Sequence, residues 1–330
     1  MNPSRYPAAV CFSLLVCLCM GCYREPPGAF PDLGNGASLE KSCREISCYL
    51  ANLLPDADTN RIGSFYRMLD SSAEELGRSL GTNRASPEAA DSILALVYGR
   101  WGIAFDSSGM VAAMLLPHQV FLHKRGACLG TSLIMLMVAE RIGCPLYGVA
   151  LPGHFFLRYD NGERRFNIEP NLSGFHHPDD YYRSRYLAAA LRWYDLSNLT
   201  ESQSIGMLCY NAGVLCLRHS RCRQAITFFS EATRRIPELA EARGNLALAY
   251  AQTGLTDSSL SIFEHLFAAH PDMPCLAANY GAVALAAERY QIAERVFRKG
   301  LQCNPTDSSL LRGLSEACAH LREAPPKGGS

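Results

Sequence analysis

A 34-residue period in the second half of the chain constrains its fold more than any other feature of the sequence. Matching residue types return at this spacing in three copies, most clearly at Phe229, Phe263, Phe297, Pro237, Pro271 and Pro305. A period of this length is typical of a solenoid, in which each unit is a helix hairpin that buries its apolar face by stacking on the next. The sequence therefore predicts an all-α solenoid over residues 201–322, closed by a capping helix.

Small residues recur in phase with the phenylalanines and prolines. The pairs Ala212-Gly213, Leu246-Ala247 and Tyr280-Gly281 keep the same distance from each proline. Over roughly residues 204–305 the pattern resembles the tetratricopeptide repeat. The resemblance implies a concave groove that binds a peptide or a partner protein. The alternative is that the array only packs against the N-terminal part of its own chain.

The bulk composition favours a globular protein of about two domains. The chain has 330 residues, of which 48% are hydrophobic, so it can bury substantial cores. Its 31 basic residues balance its 31 acidic ones, so it has no net positive field to attract nucleic acid. We therefore expect no nucleic-acid partner.

The first 22 residues have the features of an export signal. Arg5 precedes an apolar stretch from Ala8 to Met20, which is shorter than the roughly 20 residues that a spanning helix needs. The segment "LCMGC" resembles a bacterial lipoprotein signal, which implies an exported protein that a lipid on Cys22 holds to a membrane of the cell envelope. The alternative is an ordinary cleaved signal peptide. Residues 23–38, rich in Pro and Gly, are predicted to be a flexible linker, and residues 323–330 a disordered tail.

The segment "HFFLRYDNGERRFNIE" predicts a β-hairpin that begins at His154 and ends at Glu169. Asn161-Gly162 suits a two-residue type I′ turn, which would place His154 directly across from Glu169. The two side chains would share the face opposite to the expected core face, which carries Phe155, Leu157, Tyr159, Phe166 and Ile168. Such a pair is either two thirds of a catalytic triad or a satisfied surface pair.

Cys128 lies at the predicted start of a buried helix. The residues from Leu133 to Ala139 are all apolar, and Gly143 followed by Pro145 predicts the end of the helix. A cysteine at a helix N-terminus is favoured as the thiolate by the positive end of the helix dipole, and the free backbone N–H groups can hold an oxyanion. The alternative is a buried structural cysteine.

The order Cys128, His154, Glu169 and the sequences around them resemble the transglutaminase-like family, and within it the bacterial SirB-type branch. The shared segments are "GACLGTS", "AERIGCPLYGVALPGHFFLRY", "NIEP" and "SGF", within roughly residues 90–185. The resemblance implies an α+β, papain-like fold with Cys128 as nucleophile, His154 as general base and Glu169 as the group that orients the base. We predict this domain over residues 39–200, with a helical N-terminal part that includes a helix starting at Ser86-Pro87.

These residues predict a cysteine hydrolase or acyl transferase that acts on amide bonds of a protein or peptide. Cys128 would attack the carbonyl, and His154 would protonate the leaving amine. Gln119 and His123, on the approach to the helix, are candidates for a second oxyanion donor. The alternative is an inactive scaffold of the cell envelope that binds partners through its repeats.

No cofactor or metal is expected from the sequence. Of the 14 cysteines, four lie in the signal segment, at positions 11, 17, 19 and 22, and most of the others are interpreted as small buried hydrophobic residues. His176-His177 followed by Asp179-Asp180 is interpreted as a turn, because adjacent histidines on a short loop point apart. The aromatic stretch Tyr181–Tyr194 is interpreted as a helix that links the two domains.

Overall fold

The structure, a computed structural model, describes residues 30–34, 36–54, 61–107, 111–187, 194–273 and 275–323. The predicted signal peptide with Cys22, half of the linker and nearly all of the tail lie outside the described residues. The chain divides into two compact units. The first comprises the described residues up to His219 together with Arg234–Ile236, and the second comprises Ser220–Thr233 and the residues from Pro237 onward. Within the ranges above, no helix is long and apolar enough to cross a membrane.

The first unit is mostly helical. Its helices are α1 (Leu39–Ala51), α2 (Ile62–Leu80), α3 (Pro87–Leu94), α4 (Ala112–Leu115), α5 (Pro117–His123), α6 (Cys128–Ile142), α7 (Asp179–Tyr186) and α8 (Glu201–Arg218). The predicted start of α3 after Ser86 is confirmed. Helix α6 is the central element: its residues from Leu129 to Ala139 are all buried, and Gly143 ends it in the left-handed conformation with φ 76°. The continuous apolar run of the sequence therefore predicted this helix correctly.

A three-stranded antiparallel sheet packs against α6. Its strands are β3 (Leu146–Leu151), β4 (His154–Asp160) and β5 (Arg165–Ile168), in the order β3-β4-β5. A separate parallel pair joins β1 (Ala104–Phe105) to β2 (Arg125–Gly126), directly before α6. Strand β4 is buried on both faces from His154 to Tyr159, so it is the central strand in burial as well as in order.

The hairpin β4–β5 exists, but its predicted register is wrong by two residues. Asp160 pairs with Arg165, so the loop has four residues, Asn161–Arg164, instead of two. A type I′ turn needs positive φ at both central residues, and of the pair Asn161-Gly162 only Gly162 has it. The Asn161 side chain instead accepts from the backbone N–H of Arg164 at 2.7 Å and closes the wider loop. A shift of two keeps every side chain on its predicted face.

The face of the sheet that carries His154 is covered by α7. Arg158 is 1% exposed and donates to Asp179, the first residue of α7, at 2.8 Å. Asn167 of β5 donates to the same carboxylate oxygen at 2.8 Å and accepts from Arg158 at 2.8 Å. Tyr182, one turn further along α7, is buried against this face. The stretch Tyr181–Tyr194, interpreted as a linking helix, is helical up to Tyr186, but this helix packs on the sheet of the first unit, and residues 188–193 lie outside the described residues.

The second unit is a stack of helix hairpins. Its helices are α9 (Cys222–Arg235), which ends within the first unit, then α10 (Ala240–Gln252), α11 (Thr256–Ala269), α12 (Leu276–Ala286), α13 (Tyr290–Cys303) and α14 (Ser308–Glu323). The recurring Phe229, Phe263 and Phe297 are buried. A Cβ on Gly281 would lie 2.3 Å from the Phe297 ring, so the small residue at this position permits the close approach of α12 and α13. The predicted helical repeats are confirmed.

Helix α8 has the repeat phase but belongs to the first unit. It packs against α1, and the backbone N–H of Leu39 donates to the carboxylate of Glu201. Arg235 also belongs to this unit, where it donates to the hydroxyl of Ser202 at 3.2 Å and to the carbonyl of Leu33. The domain boundary at residue 200 stays a prediction, while the compact unit extends through α8 to His219.

Candidate active site

Cys128 is the first residue of α6, and the glycines on either side of it explain how the helix begins there. Ala127, the N-cap residue, is extended and donates its backbone N–H to the carbonyl of Met114 at 3.1 Å. A Cβ on Gly130 would lie 2.2 Å from this same carbonyl oxygen, and one on Gly126 would lie 2.4 Å from the Thr131 hydroxyl. The motif Gly-Ala-Cys-Leu-Gly therefore lets the start of α6 approach α4 closely while the thiol stays partly exposed.

His154 and Glu169 form a buried pair. His154 Nε2 and Glu169 Oε2 are 2.9 Å apart, and the two residues are only 6% and 3% exposed. They meet diagonally rather than directly across the hairpin, because β5 ends at Ile168 and Glu169 pairs instead with Phe175. The alternative of a surface pair is wrong, since both groups are removed from water.

Both oxygens of the Glu169 carboxylate have defined donors. Oε1 accepts from the backbone N–H of Asn171 at 3.0 Å, in the short helical turn that follows. Oε2 accepts from His154 and also from the Tyr182 hydroxyl at 3.2 Å. A buried carboxylate that accepts from three donors is held in one orientation.

The environment of His154 favours its protonated form. Burial alone lowers the pKa of His154, but hydrogen bonds to Cys128 and Glu169 and the charges of both groups outweigh it and raise the pKa to about 9. Because Nε2 is directed at Glu169, Nδ1 is the ring nitrogen left for Cys128. The three residues therefore lie in the chemical order thiol, imidazole, carboxylate that nucleophilic acyl transfer uses.

Two tyrosines of α7 complete the surroundings of His154, and sequence reasoning missed both. The ring of Tyr186 stacks on the imidazole, with centroids 4.9 Å apart and planes 11° apart. Tyr182 lies 6.3 Å from His154 and stacks on Phe156 at 3.9 Å. Their spacing of one helical turn was a signal that one face of this helix is aromatic, but nothing in the sequence indicated which surface the face would cover.

The two oxyanion candidates occupy different environments on α5. Gln119 is 1% exposed, and both Nε2 and Oε1 of its amide lack a hydrogen-bond partner among the described residues. His123 is the last residue of α5 and is exposed. A buried amide without a partner is costly unless another group satisfies it, so Gln119 has the donor that an oxyanion would need. A role for either residue stays a prediction.

In the part of the chain that the structure describes, no three His, Cys, Asp or Glu side chains are grouped closely enough to hold a metal ion. The rings of His176 and His177 contact different aromatic residues: His176 packs on Phe166 at 4.5 Å and His177 stacks on Tyr181 at 3.7 Å. Asp179 is engaged by Arg158 and by Arg165.

Comparison with known proteins identifies the domain that contains this site. Residues 64–188 match the model of the transglutaminase-like superfamily, and the matched range includes Cys128, His154 and Glu169. A search of curated proteins finds no match.

Three solved structures show a partial likeness to the chain. The Sgt2 TPR domain from Aspergillus fumigatus has 17% identity and a TM-score of 0.34, covering 38% of this chain and 87% of that one. The first TPR domain of human RPAP3 has 15% identity and a TM-score of 0.34, covering 36% and 92%. Menin, whose structure reveals a binding site for the Mixed Lineage Leukemia protein, has 11% identity and a TM-score of 0.49, covering 81% and 66%. On the family match and the helix hairpins of the second unit, the chain combines a transglutaminase-like domain with tetratricopeptide-like helical repeats.

Proposed function

We propose that the chain is a cysteine-dependent amide hydrolase or acyl transferase of the transglutaminase-like, SirB-type kind. The observation that carries this proposal is the buried His154–Glu169 pair, together with Cys128 at the start of α6, which raises the pKa of the same imidazole. A structural histidine needs one satisfied partner, whereas this one connects a carboxylate on one side to a partly exposed thiol on the other.

The residues have distinct roles in the proposed reaction. The Cys128 sulfur attacks the carbonyl carbon of an amide, and the developing oxyanion is held by backbone N–H groups at the start of α6 and by the Gln119 amide. His154, protonated at neutral pH, gives its proton to the leaving amine while Glu169 stabilises the imidazolium. The resulting thioester passes to water, which gives hydrolysis, or to an acceptor amine, which gives acyl transfer.

In this proposal the N-terminal segment determines the location of the protein and the repeats bind its substrate. The apolar segment from Ala8 to Met20, followed by Cys22, supports export and a lipid anchor in a bacterial cell envelope. The helix hairpins of the second unit support the binding of a protein or peptide, because stacked hairpins offer an extended groove. The substrate is accordingly proposed to be a protein or peptide of the cell envelope, docked by the repeats.

The pH dependence of iodoacetamide labelling at Cys128 tests the catalytic proposal. In a form that begins after Cys22, we expect Cys128 to react nearly as fast at pH 6 as at pH 8, because His154 holds the proton. His154→Ala should lower the rate at pH 6 by about 10- to 100-fold, since a cysteine with an ordinary pKa near 8.5 is mostly thiol at that pH. Glu169→Gln should lower it less. Peptide mass spectrometry measures the labelling of each cysteine separately.

Cys48 provides a control within the same molecule. It is exposed on α1 and should react equally in the wild type and in both variants. If His154→Ala left the labelling rate of Cys128 unchanged, as it should leave that of Cys48, the proposal of an enzyme would be abandoned. The alternative of a scaffold that binds partners through its repeats would then stand.

A lipid anchor is tested by replacing its attachment residue. When the full chain is expressed in a bacterium, we expect it in the detergent phase after phase separation, because a diacylated N-terminus is apolar. Cys22→Ala should no longer incorporate radiolabelled palmitate, whereas Cys19→Ala should incorporate it as the wild type does. Palmitate incorporation in the Cys22 variant equal to that of the wild type would contradict the anchor.

A further inference from the structure

The Tyr182 hydroxyl shares an acceptor with His154. It donates to Glu169 Oε2 at 3.2 Å, and His154 Nε2 lies 2.9 Å from the same oxygen. The second carboxylate oxygen is occupied separately by the Asn171 N–H. Tyr182 therefore contacts the oxygen through which Glu169 acts on the imidazole, and it does so from a different element of the fold.

Two features besides its hydrogen bond fix the position of Tyr182. The residue is fully buried, and its ring lies 3.9 Å from that of Phe156 with only 9° between the planes. The helix that carries it is attached at its first residue, where Asp179 accepts from Arg158 and Asn167. The phenol is therefore held against Glu169 by packing and by the attachment of its helix, in addition to its own hydrogen bond.

The hydroxyl is a donor at every pH at which the site could work. Burial first, and then the charge of Glu169, raise the pKa of Tyr182 above its usual range, so the phenol keeps its proton. A permanent donor on Oε2 draws negative charge away from the bond to His154 and fixes the direction from which the imidazole can approach.

We propose that Tyr182 is a positioning residue, which tunes how strongly Glu169 holds the proton on His154. The relevance of Tyr182 to catalysis rests on the proposed function. The contact itself makes a prediction that does not involve the thiol. When the hydroxyl is removed, Oε2 is left to His154 alone, so the imidazolium is held more tightly and His154 loses its proton at a higher pH.

The test measures the titration of His154 in a Cys128→Ser background by NMR with ¹⁵N-labelled histidine, with the signal assigned by its loss in His154→Gln. Adding Tyr182→Phe should raise the midpoint by about 0.5 to 1 on the pH scale, the amount expected for one hydrogen bond. Tyr98→Phe is the matched control, because it removes a neighbouring phenol that donates to the carbonyl of Pro170 at 3.1 Å instead of to Glu169.

A failure of the positioning role of Tyr182 can be distinguished from a failure of the proposed function. An unchanged midpoint in Tyr182→Phe, or an equal shift in Tyr98→Phe, would overturn the positioning role whatever Cys128 does. The labelling of Cys128 in the otherwise unchanged protein decides the proposed function separately. Tyr182→Phe keeps the ring and its packing on Phe156, and urea unfolding confirms that any shift occurs in a folded protein.

Discussion

Gly130→Ala is expected to destabilise the first unit by about 3 kcal/mol. The new methyl group would lie 2.2 Å from the backbone oxygen of Met114 and 3.0 Å from Val120. A backbone atom cannot rotate away as a side chain does, so α4 and α6 must separate. The carbonyl of Met114 also accepts from the N–H of Ala127, and its displacement would disturb the turn that presents Cys128. Urea unfolding followed by circular dichroism measures the change.

Gly63→Ala is the matched control. Gly63 also lies in a helix of the first unit, but the nearest atom to its added Cβ is the tip of the Arg67 side chain at 3.5 Å. With space available, alanine should stabilise the helix by up to about 1 kcal/mol. Equal effects of the two substitutions would show that steric contact at Gly130 is not the reason for a glycine there.

Asp179→Ala is expected to cost about 3 to 4 kcal/mol, because it leaves the buried Arg158 without its carboxylate. The same change removes the acceptor shared by Asn167 and an exposed Arg165. Asp180→Ala is the control: its carboxylate is 93% exposed and lies 3.7 Å from Arg183, so we expect a change below about 0.5 kcal/mol. The unfolding free energies of the two variants at pH 7 provide the comparison.

The contribution of Asp179 should also depend on pH with a definite sign. Although burial alone raises its pKa, the Asn167 hydrogen bond and the charges of Arg158 and Arg165 outweigh it and hold the pKa of Asp179 below the usual range. The stabilisation is therefore complete above the unfolded-state pKa of about 3.9 and is lost as the pH falls through the folded-state value. Wild type and Asp179→Ala should converge in stability in acid. A difference that persisted there would contradict the ion pair as its source.

The hairpin shows which kinds of information the sequence carries. The face that each residue of β4 and β5 occupies depends only on alternation, so it was predictable from the pattern around Asn161-Gly162. The register depends on how the loop closes, and here the Asn161 side chain accepts from the backbone N–H groups of Glu163 and Arg164 instead of forming the two-residue turn. The predicted contact of His154 with Glu169 was correct despite the wrong register, because a shift of two residues keeps each side chain on the same face of the sheet.

The sequence also did not show that α7 covers this face of the sheet, and the reason is different. Arg158 alternates with His154 and Phe156, and a charged residue in such a pattern usually indicates solvent. Here Asp179 and Asn167 satisfy it in the interior, and this allows α7 to close over the site. The aromatic spacing of α7 was visible in the sequence, but its docking surface depends on contacts between residues far apart in the chain.

The place of α8 in the first unit determines how the chain can be divided. Truncation at residue 200 would remove the helix that packs on α1, and truncation after His219 would still remove Arg235, which donates to the carbonyl of Leu33. The compact unit is discontinuous in sequence, so any fragment that keeps all of it must extend at least to Ile236 and retain α9. A fragment that stops at residue 200 or at His219 is therefore expected to unfold more easily than one that extends to Ile236.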